Sequence, residues 1–275
     1  MGLRIQTNMA SISAQKVLSK QQSRAEHASQ ALAGGSRIVK AGDDAAGLAI
    51  SESMRAQVKG MQMARTNSFN AVSAIQVSEG GLNEVSNILV RLRELGIQAA
   101  SDNIGEKERS FLDLEAKNII EEADRIAKTT VFGDKRLLDG SGGKQTYHVG
   151  PNGGEENTIS FDLSTNATAS ELGIDGLSVG DKDSAKDLLT VVDTAMQKVG
   201  EMRANFGAIQ NRLETTTSNL DTQIENLSAA KSRISDTDVA KESSELASAQ
   251  VLQQAAVSVL AQANQFPGVA LKLIS

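Results

Sequence analysis

Apolar and small residues recur every three or four positions along most of this chain, and the rhythm breaks only in the middle. Near the start, Ile5, Met9 and Ile12, then Ala14, Leu18, Gln21, Ala25, Ala28 and Leu32, fall on one helical face, with one slip between Ile12 and Ala14. That spacing predicts an amphipathic helix of roughly thirty residues. It ends at Gly34-Gly35, where two residues without side chains favour a helix C-cap or a joint. A second helix begins near Asp43-Asp44, whose carboxylates suit the free amides and the positive dipole end of a helix N-terminus. Met54, Val58, Met61, Val72, Ile75, Leu82, Val85, Leu89 and Leu92 carry it to about residue 100, with Gly80-Gly81 as a weak point. A third helix is expected from Glu106 to Lys128 on Leu112, Ala116, Ile119, Ala123 and Ile126.

Residues 131 to 183 lose the rhythm. Gly140, Gly142, Gly143, Gly150, Gly153 and Gly154 surround the strand-like segments QTYHV and NTISFDL, separated by a Pro-Asn-Gly-Gly turn, and a β-hairpin follows from that pattern. From Ala185 the spacing returns in its most regular form, through Leu188, Val192, Ala195, Val199, Met202, Phe206, Ile209 and Leu213 to Leu220, Leu227 and Ile234. At 1.5 Å per residue such a helix is on the order of 75 Å long, a length suited to coiled-coil-like packing. The last segment steps four and three through Leu252, Ala256, Val259, Ala263, Phe266, Ala270 and Leu273. Both ends of the chain are thus amphipathic with small, Ala-rich seams. Burial is worth only about 25 cal/mol per Å², so such seams are marginal until other subunits cover them.

The fold class that follows is mainly α: an elongated helical bundle with coiled-coil terminal helices and a small β-hairpin region at about 131–183. Composition agrees, because 40% hydrophobic residues with only 3% aromatic fill thin helical seams better than a wide core. Only Pro151 and Pro267 interrupt a chain otherwise open to long helices. Cysteine is absent, which removes disulfides, thiolate metal sites and cysteine nucleophiles. No run of about eighteen apolar residues predicts a membrane span, and the polar start MGLRIQTNMAS lacks the apolar core of a secretory signal. Charge is uneven: residues 1 to 40 carry about +5 and the rest about −11. The basic start is acid-poor, like a transit peptide or a membrane-surface helix. It lacks the aromatic interleaving of a nucleic-acid surface, and a solvated helix face accounts for it without a nucleic-acid or membrane partner.

Catalytic and metal signatures are missing. His27 and His148 stand apart from each other, without cysteine, and are expected at the surface rather than on a metal. Asp181-Lys182-Asp183-Ser184-Ala185 starts like a calcium loop but lacks its third ligand and glycine, so it reads as a helix cap. Gly142-Gly143-Lys144-Gln145 approaches a phosphate loop, with Leu138 where the first glycine belongs and Gln145 where the magnesium-binding hydroxyl belongs. Asp43-Asp44 is a helix cap rather than a catalytic carboxylate pair. Asn166-Ala-Thr168 and Asn226-Leu-Ser228 match the short N-glycosylation pattern. No cofactor and no enzyme activity are expected.

The segments LAGGSRIVKAGDDAAGLAISESMRAQVKGM at 32–61 and SAQVLQQAAVSVLAQANQFPGVALKLIS at 248–275 resemble the two ends of bacterial flagellin. So do Ile-x-Thr-Asn at 5–8, Arg-Leu-Arg-Glu-Leu at 91–95, Phe-Gly-x-x-x-Leu-Leu at 132–138, and Phe206-Gly-Ala-Ile-Gln-Asn-Arg-Leu213, so the likeness covers nearly the whole chain. The resemblance implies a structural subunit of the flagellar filament, extracellular, exported without a cleaved signal through the flagellum's own type III machinery. It implies a helical homopolymer whose other partners are an export chaperone, hook-junction proteins and a cap protein. It further implies an inner polymerisation domain at 1–43 with 235–275 and a rod domain at 44–234, the large variable outer domains being absent. Ile5, Met9, Ile12, Leu18, Leu32, Leu252, Ala256, Val259, Ala263, Phe266 and Leu273 are the expected polymerisation interface. The family's rod is read by a vertebrate Toll-like receptor, and the matching positions are Arg91, Leu95 and Glu115. Gly96 departs from the helix-favouring residue usual there, at roughly 1 kcal/mol of propensity. The competing readings are a hook-filament junction protein and, outside the family, a secreted coiled-coil fibre or adhesin. A metalloprotease variant of flagellin is excluded by the absence of His-Glu-x-x-His.

Overall fold

The structure is a computed structural model that describes residues 7–272, without the side chains at 266, 267 and 269–272. Its elements are α1 (Met9–Gly34), α2 (Ala45–Ala99), α3 (Glu106–Thr129), β1 (Val131–Phe132), β2 (Lys135–Arg136), β3 (Lys144–His148), β4 (Thr158–Asp162), α4 (Ala169–Leu172), α5 (Lys182–Ser235) and α6 (Val239–Lys272). Contacts divide the chain into two compact units, Met1–Ala56 with Asn226–Ser275, and Gln57–Glu225. These borders fall well inside α2 and α5, whereas 43/44 lies in the turn before α2 and 234/235 between the last two residues of α5.

In the first unit α1 and α6 run antiparallel. Asn8 meets Ala263, Arg24 lies beside Glu245, and Ser36 bridges Asp236. Along α1, Ala14, Gln21 and Ala28 are buried and Leu18, Ala25 and Leu32 half-buried, an alternation of four and three that defines a coiled-coil seam. Its counterpart on α6 is Ala249, Ala256 and Ala263, buried, with Leu246, Gln253 and Leu260 half-buried. Small side chains in the buried rows let the two backbones approach closely. The slip noted between Ile12 and Ala14 is real: the seam continues from Ala14 to Ser11, and Ile12 and Met9 lie off it.

In the second unit the expected stripes close on one another. Leu82, Val85, Leu89 and Leu92 of α2, Ala116, Ile120 and Ala123 of α3, and Leu188, Val192, Ala195, Val199, Phe206 and Leu213 of α5 form a single buried cluster. Antiparallel β3 and β4 pair in the register Tyr147 to Ile159, and Ile159 and Phe161 turn their side chains into that cluster. The Tyr147 and Phe161 rings stack at 5.4 Å. A second small hairpin, β1 with β2, turns on Gly133 at φ 61°, a left-handed position glycine tolerates.

Gly80-Gly81 does not break α2, and the two glycines differ. Space around Gly80 is open, whereas a Cβ at Gly81 would stand 2.7 Å from Leu138 Cδ1 and from Thr130 Oγ1. Gly96 has a packing reason as well, since its Cβ would lie 2.9 Å from Leu188 Cδ2 on α5. The lost helix propensity there accompanies close approach of two helices.

Candidate assembly surface

The turn after α1 is built by short-range chemistry that the sequence announces. Gly35, at φ 64°, ends α1 in the left-handed conformation. Asp44 Oδ1 accepts a hydrogen bond from the Gly47 amide at 2.8 Å, capping α2 as expected, and Asp43 Oδ2 accepts from the Val39 and Lys40 amides. The Lys40 amide bond, aided by His27, holds the Asp43 carboxyl below its ordinary range. The Gly47 bond and then the Arg37 guanidinium do the same for Asp44. Arg37 ties this turn to the end of α5, donating to Ile234 O at 2.9 Å while its own amide donates to Ser235 O at 2.8 Å. His27 is half-buried rather than fully at the surface, because its Nε2 lies 3.2 Å from Asp43 and its Nδ1 3.9 Å from Glu242.

The far end of the α1–α6 pair is closed by Asn8. Its Oδ1 accepts from the Ser11 amide at 3.1 Å and caps α1, while its Nδ2 donates to Ala263 O at 2.7 Å. Ala263 is four residues before Pro267, which has no backbone N–H to return to that carbonyl. One asparagine therefore starts α1 and satisfies the acceptor that the proline orphans in α6. Ser11 Oγ adds a bond to Asn264 at 2.9 Å.

The residues expected at the polymerisation interface fall into three groups. Ala256 and Ala263 are buried, and Leu18 and Leu32 half-buried, within the α1–α6 seam of the single chain. Met9, Ile12, Leu252 and Val259 are exposed on the outer faces, Met9 at 63% and Val259 at 58%. Ile5, Leu273 and the Phe266 side chain lie outside the described residues. The expected pairing of Leu252 and Val259 with the alanines in one seam is thus corrected: Leu246, Gln253 and Leu260 take those places. Val17, Val251 and Val257 add to the exposed apolar surface. From Leu246 to Leu271 the chain carries no charged residue, and the polar groups exposed there among the apolar ones are neutral, such as Gln250, Gln254, Ser258 and Gln262.

On the second unit Arg91 donates to Glu115 from Nε at 3.0 Å and Nη2 at 2.7 Å, and to Glu94 at 2.9 Å, which raises its already high pKa, Glu115 contributing most. Leu95 is fully buried in the core, so it is not a surface partner of that pair. It sits one turn beyond Arg91 on the inward face, continuing the stripe of Leu89 and Leu92.

Among the described residues no three acidic, histidine or cysteine groups converge to hold a metal, and no helix is long and apolar enough to cross a membrane. Asp181 caps α5 through the Ser184 amide at 2.9 Å, as its sequence context indicates.

Long helices with coiled-coil seams, α1 paired with α6, and an α6 that exposes Val251, Leu252, Val257 and Val259 are the marks of a self-associating structural subunit. The chain belongs to the bacterial flagellin family: the flagellin N-terminal helical region matches residues 5–142 and the C-terminal helical region residues 189–274. It is 40% identical to a flagellin of Halalkalibacterium halodurans over 98% of this chain and 99% of that one. It is 37% identical to a flagellar filament core protein of Brachyspira hyodysenteriae over 98% and 99%. The crystal structure of Bacillus cereus flagellin superposes with a TM-score of 0.51 at 28% identity, covering 60% of this chain and 94% of that one. The protein is a structural subunit of the flagellar filament, self-polymerising and extracellular, and it serves motility.

Proposed function

We propose that the subunit enters the filament through the faces of α1 and α6 that the chain leaves uncovered, with Met9, Ile12, Leu252 and Val259 as the contacts to neighbouring copies. Ala256, Ala263, Leu18 and Leu32 act one step earlier, by holding α1 to α6 so that the outer faces are presented together. The observation that carries this reading is the uncharged stretch from Leu246 to Leu271, in which Val251, Leu252, Val257 and Val259 are exposed in the single chain. Ile5, Phe266 and Leu273 extend the same role by sequence position. Residues 1–43 and 235–275 are then the polymerising part and 44–234 the rod that sets the outer lattice.

Export follows the flagellar type III route without a cleaved signal, and the exposed apolar ends are the segments an export chaperone would cover before release. Hook-junction and cap proteins would meet the same ends. For the vertebrate Toll-like flagellin receptor, the readable groups are Arg91 and Glu115, with Leu95 acting beneath them by fixing α2 to the core. Activity as an enzyme forms no part of this reading.

The test replaces Leu252 and Val259 together with Glu. Both are exposed, so the isolated chain should keep its helical circular dichroism. Two charges per subunit in a water-excluding contact carry a penalty of several kcal/mol, and polymer should disappear from sedimentation and electron micrographs. Normal filaments from this variant would overturn the assignment.

A further inference from the structure

We propose that Asn152 is a self-modification site, converting in the folded chain to aspartate and isoaspartate at the tip of the β3–β4 hairpin. Asn152-Gly153 is the one Asn-Gly dipeptide in the sequence. The reaction needs no enzyme and no reagent but water. The Gly153 backbone nitrogen attacks Asn152 Cγ, an N–Cγ bond forms, the Cγ–Nδ2 bond breaks, and Nδ2 leaves as ammonia with the proton lost from the attacking amide. Water then opens the cyclic imide. Cleavage at the Cγ side gives aspartate, and cleavage at the main-chain carbonyl gives isoaspartate.

Three features of the turn favour the attack. Asn152, Gly153 and Gly154 are all exposed and lie beyond the strand ladder, which ends at the His148–Thr158 pair. Among the described residues neither the Gly153 amide nor the Asn152 side chain takes part in a hydrogen bond, whereas the turn closes around them through Val149 N to Asn157 O and Asn157 N to Gly154 O. Nothing stands within 4 Å of the position a Gly153 Cβ would occupy, so no neighbouring side chain packs over this residue.

The other asparagines outside helix interiors lack one or more of these features. Asn8 is held at both ends of its amide, and Asn103 precedes the β-branched Ile104. Asn157 donates to Glu156 and precedes Thr158. Asn166 Oδ1 accepts from both the amide and the hydroxyl of Thr168. Asparagines within α2, α3, α5 and α6 precede amides committed to the helix ladder.

The conversion changes a particular surface. Asn152 lines one wall of an open cleft of about 750 Å³ whose other wall is α5, with Asn211, Arg212 and Thr215. Conversion places a carboxylate on a rim that already holds Glu156 and faces Arg212. Isoaspartate also lengthens the main chain of the turn. Older subunits thus differ from new ones by one negative charge at one place.

The experiment incubates the purified full chain in mildly alkaline buffer and follows every asparagine by peptide mass mapping, with fragmentation that separates aspartate from isoaspartate. Asn152 should convert ahead of all others, at a rate within a few-fold of an unstructured peptide of the same residues. Gly153→Ala should slow it roughly tenfold by crowding the attack while leaving the circular dichroism unchanged, and Asn152→Gln should abolish the acidic isoform on isoelectric focusing. An Asn152 that stays intact in the folded chain while the peptide converts, or conversion led by another asparagine, would overturn the proposal.

Discussion

Asn8 joins the two ends of the chain through one side chain, and its substitution gives a test with a calculable size. The Oδ1 bond to the Ser11 amide is a helix N-cap, a contact worth about 1 kcal/mol. The Nδ2 bond serves the Ala263 carbonyl, and stripping a buried acceptor of its partner costs about 1–3 kcal/mol. Because the site is only part-buried, Asn8→Ala should weaken α1–α6 pairing by about 2 kcal/mol in all, the low end of that sum. Asn8→Asp keeps the cap and loses the amide donor, so it isolates the second contribution. Hydrogen exchange of α1 and α6 peptides in the full-length chain reads the opening of the pair directly. Asn8→Ala should accelerate it about thirtyfold. The role assigned to Pro267 adds a double-mutant cycle. Pro267→Ala restores an N–H for the Ala263 carbonyl, so Asn8→Asp should cost about 1 kcal/mol less in that background. Asn8→Asp exchanging at the rate of the unmodified chain, or an equal cost in both backgrounds, would refute the reasoning.

Gly80 and Gly81 should respond oppositely to alanine. Gly80→Ala gains helix propensity in open space, about 1 kcal/mol or some 2–4 °C in thermal midpoint, while Gly81→Ala meets Leu138 and Thr130 and should lower the midpoint by a similar amount. The depressed carboxyls of Asp43 and Asp44 stabilise the α1–α2 turn fully above the ordinary aspartate value of 3.8, and that contribution is lost as the pH falls through their lower folded values. Exchange of the Gly47 amide followed through acid should show this loosening, and Asp44→Asn, which keeps the cap but drops the charge opposite Arg37, should shrink it. Arg91→Ala should reduce signalling by the monomer in a Toll-like receptor reporter assay with no change in thermal midpoint; an unchanged signal removes Arg91 from the receptor surface.

Much of the helical architecture is legible as rhythm. The stripe from Ala185 to Leu213 is the buried stripe of α5, because Lys186, Asp187, Asp193, Lys198, Glu201 and Arg212 between its members mark the opposite face, with Val191 and Met196 flanking the core. The same reading fails on α6 beyond Glu245, where no charge marks an outside as far as Leu271. Leu252 and Val259 keep step with Ala256 and Ala263 as well as Leu246 and Leu260 do, and only pairing with α1 decides between the two. Leu95 illustrates the converse: its place after Leu89 and Leu92 already signals the core, and a motif match alone puts it at the surface. The β1–β2 hairpin has Gly133-Asp134 as its turn cue, but only Val131-Phe132 is β-prone and Lys135-Arg136 is not, so the cue is easily lost in a glycine-rich stretch. Asn8 with Ala263 is a contact across the length of the chain, and no local pattern encodes it.

The central claim is that the outer faces of α1 and α6 are surfaces completed by neighbouring copies. A reconstruction of the assembled filament by electron cryomicroscopy tests it directly. Met9, Ile12, Leu252 and Val259 should each be buried against a neighbouring subunit, with the α1–α6 seam of Ala14, Ala28, Ala256 and Ala263 intact within each chain. Finding those four side chains in solvent, or α1 paired with the α6 of another copy in place of its own, would contradict the account.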